Sequence, residues 1–168
     1  MLKSSPYILQ FSGLKLGNHS FEFLLETAFF DSCESFGIQK GTGVANVELE
    51  KKETMMLISL RLSTTLEVLC DRCNENMSID VDGHMDLIYK FGTEESLDES
   101  LIILPPDSYQ MDMFQPIYEL LVISLPSRFI HPNNGCNPEV LKWLNTSPAS
   151  QETKSELDPR WSALNKLN

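Results

Sequence analysis

The chain has 168 residues, 42% of them hydrophobic and 22% charged, and a formal net charge of −11. That length suits one domain with a core of its own and room for a small appendage. No apolar run approaches the roughly 18 residues of a membrane span, and the opening "MLKSSPYILQ" lacks the apolar stretch of a leader. The expected setting is therefore the cytoplasm, away from membranes, where thiols stay reduced.

From the start, "YILQFSGLKLGNHSFEFLLE" reads as a strand, a glycine-containing connection and a second strand. "TAFFDSCESF" reads as a short helix capped by Thr27, with Phe29, Phe30, Cys33 and Phe36 at helical spacing. From Gly41 the period changes to two. Ala45, Val47 and Leu49 alternate with polar residues, and "EKKE" is a turn. Met56, Ile58, Leu60, Leu62, Leu66 and Val68 share one parity. Met77, Ile79, Val81, Met85, Leu87, Tyr89 and Phe91 hold the opposite one, with Asp80, Asp82, His84 and Asp86 facing away. These are long half-buried strands of an antiparallel meander, and the two longest pair as a hairpin.

"GTEESLDES" is an acidic loop, and "LIILPPD" a short edge strand stopped by prolines. A helix follows from about Asp112 to Leu125. Asp112 and Gln115 have capping-box spacing, and Pro116 sits in the first turn, where a missing donor costs little. Phe114, Ile117, Tyr118, Leu121, Val122 and Leu125 mark its apolar face. "HPNNGC" is a loop, and "NPEVLKWLN" starts a helix with Asn137 as cap and Pro138 in first position. A polar linker over residues 146–157 leads to a tail helix over 158–168, opened by Asp158 and Pro159 and striped by Trp161, Leu164 and Leu167.

The pair in "LEVLCDRCNENMSIDV" admits four readings: redox centre, half a metal site, disulfide, or two small buried residues. A thioredoxin-type pair opens a helix, whose dipole activates the first thiol; here a strand follows. A metal knuckle at a hairpin tip fits better, with Asn74 able to take the positive φ that a tight turn needs. Two thiolates are half of a tetrahedral zinc site. The other half must come from among His19, His84, His131, Cys33 and Cys136. Cys33 lies on an apolar helix face and His84 on a solvated strand face. His131 and Cys136 share one loop, so the expected quartet is Cys70, Cys73, His131 and Cys136. With every position filled by protein, such a zinc is structural. Small buried cysteines beside a loop histidine are the plain alternative.

No phosphate-binding glycine loop, nucleophile elbow or zinc-protease helix is present. The acidity either serves solubility alone or suits a basic partner; nucleic-acid binders need gathered cations instead. Lys40, Lys51, Lys52, Arg61 and Lys90 would have to form one stripe for direct RNA binding.

The order of parts resembles the YceD family of bacteria and chloroplasts, also catalogued as domain-of-unknown-function family 177. The resemblance rests on "CDRC" at a hairpin tip, a helix ending in "SLP" and a closing "DPRWSALNKL", with "TAFFDSCESF" similar to the family's aromatic segment. Many members carry a second C-x-x-C where this chain has only Cys136 after His131. The resemblance implies a role in 23S ribosomal RNA accumulation and large-subunit assembly, and no catalytic residues.

The expected fold is one α+β domain over residues 1–145. Its antiparallel sheet of five or six strands is able to curl toward a barrel, under one covering helix with short C-terminal helices. The expected function is a non-enzymatic ribosome-biogenesis factor that binds a basic ribosomal protein or the pre-ribosomal large subunit. Glu94, Glu95, Asp98, Glu99 and Trp161 are its candidate contacts. Direct binding of ribosomal RNA is the alternative, with an uncharacterised enzyme behind it.

Overall fold

The computed structural model describes residues 6–31, 37–92 and 101–146. Cys33, the acidic residues Glu94, Glu95, Asp98 and Glu99, and the tail with Trp161 lie outside them. The strands are β1 (Ile8–Gln10), β2 (Gly17–Leu25), β3 (Ile38–Lys51), β4 (Met55–Leu69), β5 (Asn76–Phe91), β6 (Leu101–Leu104) and β7 (Gln110–Asp112). The helices are α1 (Thr27–Phe30), α2 (Phe114–Ser124) and α3 (Pro138–Thr146), with a 3-10 turn at Pro132–Asn134.

Strict alternation builds the main sheet, in spatial order β2-β3-β4-β5-β6. Met56 stands opposite Tyr89 and Val68 opposite Met77, so the two longest strands form the expected hairpin. Every even residue of β4 from Met56 to Val68 is buried, Thr64 included; the Thr64 hydroxyl donates to the carbonyl of Val81 at 3.1 Å. A bulge between Ile38 and Lys40 resets the parity of β3, which lets Ile38 and Ala45 reach the same core.

The sheet stays open and does not close into a barrel; β2 and β6 are its edges. Four further features depart from the sequence reading. β6 runs parallel to β5, so the sheet is not a pure meander. β1 pairs with β7, a strand that ends on Asp112, where the helix was expected to begin. The capping box is absent. Asp112 Oδ1 instead accepts the Phe114 N–H at 2.9 Å, and Gln115 turns forward to donate to Glu119 at 2.7 Å. In the first short helix Glu26, rather than Thr27, is the capping position.

One face of the sheet is covered. α2 lays Ile117, Leu120 and Leu121 on it, all at most 1% exposed. Gly83 of β5 permits the close approach, since a Cβ there would meet Ser124 Oγ and the Leu120 side chain. Tyr7, Phe29 and Phe114 close the adjoining end, with Phe29 centroids 5.6 and 5.4 Å from the other two. Among the described residues no helix is long and apolar enough to cross a membrane.

Tyr89 reports on this core. Its burial, followed by the carboxylates of Glu119 and Asp112, pushes the phenol up to about 12. An unfolded tyrosine ionises near 10, so below that pH neither state pays any ionisation cost. Between about pH 10 and 12 the unfolded chain sheds its proton first, and stability should fall as pH rises, by up to roughly 2–3 kcal/mol. Denaturant midpoints across this range, compared with those of Tyr89→Phe, test it: the variant should lose part of the alkaline decline.

Candidate metal centre

The β4–β5 hairpin ends in a knuckle whose backbone is closed on itself. The Asn74 N–H donates to the Cys70 carbonyl at 2.8 Å, and the Cys70 N–H to the Glu75 carbonyl at 2.9 Å. Closing so tight a turn puts Asn74 at φ 58°, as expected for a residue that tolerates the left-handed region. The turn also aims the Arg72 N–H at Cys70 Sγ, 3.4 Å away.

A second loop comes to meet it. The Asp71 N–H donates to the Phe129 carbonyl at 2.7 Å, and the Phe129 N–H to Asp71 Oδ2 at 2.8 Å, a reciprocal clamp across 58 residues of sequence. Asn137 works in two directions. Its Oδ1 caps α3 through the Glu139 N–H at 2.9 Å, and its Nδ2 donates to Glu75 at 2.7 Å. The 3-10 turn after His131, with Asn133 at φ 53°, folds the loop back so that Cys136 faces the knuckle.

The result brings Cys70, Cys73, His131 and Cys136 together, with one ligand atom from each lying within 4.8 Å of all the others. Cys70 Sγ and Cys136 Sγ are 3.8 Å apart, Cys73 Sγ and His131 Nδ1 3.4 Å, and Cys136 Sγ and His131 Nδ1 3.9 Å. A sulfur–sulfur bond is about 2.05 Å, so no disulfide joins Cys70 to Cys136. A tetrahedron with zinc–sulfur bonds of about 2.3 Å has sulfur–sulfur edges of about 3.8 Å. The four side chains thus have the spacing and donor types to bind a metal ion. The three sulfurs form a small apolar cluster of their own with Met77, Val140 and Leu141, sealed by α3.

The electrostatics of the bare site favour one thiolate. Burial pushes Cys70 up, but the N–H groups of Arg72, Cys73 and His131 and the His131 ring outweigh it and bring the thiol down to about 6. Burial pushes Cys136 up, reinforced by the neighbouring Cys70 and Cys73. A divalent cation would reverse the second effect by supplying the charge that lets all three thiols ionise.

The remaining candidates stay apart from this centre. His19 bonds the Lys15 carbonyl at 2.8 Å. His84 lies on the open sheet face beside Ser59 and Asp86, at 3.0 and 3.2 Å. That trio has the composition of a hydrolytic triad, yet both partners meet the same Nε2. A triad needs one ring nitrogen on each. The basic residues do not form one stripe. Lys51 turns inward to the carbonyls of Phe11 and Leu14, at 2.8 and 2.9 Å, and Lys52 pairs with Glu50 at 3.3 Å. Lys40 lies opposite Glu67 and Lys90 opposite Met55, at the two ends of β4. That is about 40 Å at 3.3 Å per residue, several screening lengths. A smaller basic group sits beside the knuckle, where Arg72 and Arg128 flank Ile130 and Leu144.

The supporting residues Asp71 and Glu75 were not singled out in the sequence. An aspartate inside a tight turn is a signal for side-chain-to-backbone bonding, but its Phe129 partner is not visible locally. The sequence model of one family, described as "Large ribosomal RNA subunit accumulation protein YceD", matches residues 58–168, about two thirds of the chain and all four residues of the centre. No curated protein and no solved structure matches the chain.

Proposed function

Because the chain belongs to the YceD family, we propose that it supports the accumulation of large-subunit ribosomal RNA as a non-enzymatic assembly factor. Its centre holds one structural zinc through Cys70, Cys73, His131 and Cys136, and its working contact is with a basic ribosomal protein. Zinc suits the donor set, since three thiolates and an imidazole at tetrahedral spacing leave no open position for chemistry. The ion's task is to hold the loop over residues 126–137 and α3 against the hairpin tip.

The observation that carries the protein-contact reading is the charge distribution. The net charge is −11, and apart from Arg72 and Arg128 at the knuckle the basic residues of the sheet are spread along it or used internally. Ribosomal RNA would be repelled by such a surface, whereas a basic protein gains long-range attraction and faster encounter. The acidic residues Glu94, Glu95, Asp98 and Glu99, and Trp161 as an aromatic anchor, belong to the same proposal as contact points. Direct RNA binding retains one specific support, the Arg72 and Arg128 pair at the knuckle.

The test is depletion of the protein in cells, followed by measurement of 23S RNA, with affinity purification of the full chain. Mature 23S RNA should fall, and large-subunit proteins should co-purify after nuclease treatment. Normal 23S levels would refute the assembly role. Capture that vanishes with nuclease would favour the RNA reading.

A further inference from the structure

The sheet face opposite α2 has its own composition, and register decides it. Leu57 pairs with Ile88, and Ile88 with Leu101; Met55 pairs with Lys90, and Lys90 with Ile103. Five apolar side chains therefore stand together on the outward side of β4, β5 and β6. None belongs to the core. Ile88 is 37% exposed and the others half-buried, while their inward neighbours Met56, Ile58, Leu87 and Tyr89 are buried on the other face.

Lys90 interrupts this strip between Met55 and Ile103, and carboxylates border its other part, around Leu57 and Ile88. Leu57 lies opposite Glu50, and Ser59 stands between Glu48 on one side and Asp86 on the other. Together these residues line a hollow of about 630 Å3 reaching from β2 to β5. Glu50 pairs with Lys52 and Asp86 with His84, but both pairs are exposed, and such pairs exchange at little cost. Glu48 has no basic partner among the described residues.

The hollow itself, an apolar floor of Leu57 and Ile88 bordered by Glu48, Glu50 and Asp86, fits a narrow class of ligand. Phosphates are repelled. A second copy would bring the same carboxylates against themselves, as a two-fold interface requires. We propose that this open face docks a basic amphipathic segment of a partner protein. Lysine or arginine side chains reach Glu48, Glu50 and Asp86, while aliphatic or aromatic side chains lie on Leu57 and Ile88. This rests on the reading of the protein as a contact factor for a basic ribosomal protein, and it names the face and the recognition chemistry. A hollow of this size takes a short segment rather than a folded domain, which corresponds to a weak, transient contact.

The full chain, isotope-labelled for NMR, should be titrated with a synthetic peptide of alternating lysine and leucine. A glutamate–leucine peptide and an oligouridylate serve as controls. The basic peptide should shift the amide signals of Glu48, Glu50, Leu57, Asp86 and Ile88, and the controls should not. Leu57→Ser with Ile88→Ser should weaken binding about tenfold, the loss expected when an apolar contact worth about 1.4 kcal/mol goes. Glu48→Gln with Asp86→Asn should weaken it at low salt and flatten its salt dependence. All four positions face outward, so the remaining spectrum should be unchanged. Shifts centred on Arg72 and Arg128, affinity unchanged in either double variant, response to oligouridylate at this face, or self-association through it would each overturn the proposal. Capture of large-subunit proteins that survives both double variants would remove this face while leaving the functional reading in place. Normal 23S RNA after depletion would remove the functional reading whatever the peptide does.

Discussion

Cys136→Ser should abolish the proposed zinc binding while leaving the sheet folded. Serine keeps the size of the side chain but is a poor zinc ligand, and the remaining three donors cannot close a tetrahedron. Loss of a supporting residue beside a metal typically weakens affinity 10–100-fold, and loss of a ligand should exceed about 100-fold. Metal content, measured on protein purified without chelator or metal-binding tag, should drop from about one zinc per chain to nearly none. The structural consequence should be local. The thiols form a cluster separate from the main core, joined to it through Met77. Hydrogen exchange should therefore speed up over residues 70–75 and 126–146, while the centre of the β4–β5 hairpin stays protected. Zinc-finger peptides, which lack a core, owe some 10–16 kcal/mol of apparent binding energy to the metal; this domain has a core of its own. Full metal retention in Cys136→Ser would refute the quartet. Global unfolding of the variant would show that the metal is a folding requirement.

Leu60→Ala should cost about 2–5 kcal/mol of stability, whereas Leu57→Ala on the same strand should cost less than about 1. Leu60 is fully buried, and its removal leaves a cavity between the sheet and its cover. Leu57 is half-buried on the open face, where water fills the space vacated. Urea midpoints for the two variants give the comparison directly. Equal costs would mean that the open face is covered in the folded protein, and would count against its role as a docking surface.

What was legible in the sequence is what short-range chemistry encodes. Alternation of period two placed the buried faces of β3, β4 and β5, because side chains of a strand must point alternately to either side. Asn74 at positive φ and Asn137 before Pro138 were legible because a turn or a helix start is decided within a few residues. The donors Cys70, Cys73, His131 and Cys136 were legible as types, since sulfur and imidazole on two turn-rich loops are the raw material of a tetrahedral site. Their approach to within 4.8 Å was decided by the tertiary structure, through the Asp71–Phe129 clamp and the packing of α3. The parallel direction of β6 and the pairing of β1 with β7 were equally hidden, because backbone hydrogen bonds form between strands whatever their side chains. The capping box failed because β7 runs through Asp112, so that α2 starts at Phe114 with Met113 in the capping position. The open face is the clearest case. Glu48, Glu50, Leu57, Asp86 and Ile88 are spread over three strands and look like unrelated solvated positions in the chain. Only the register between β3, β4 and β5 sets them side by side, and that register depends on where the buried residues of one strand meet those of the next.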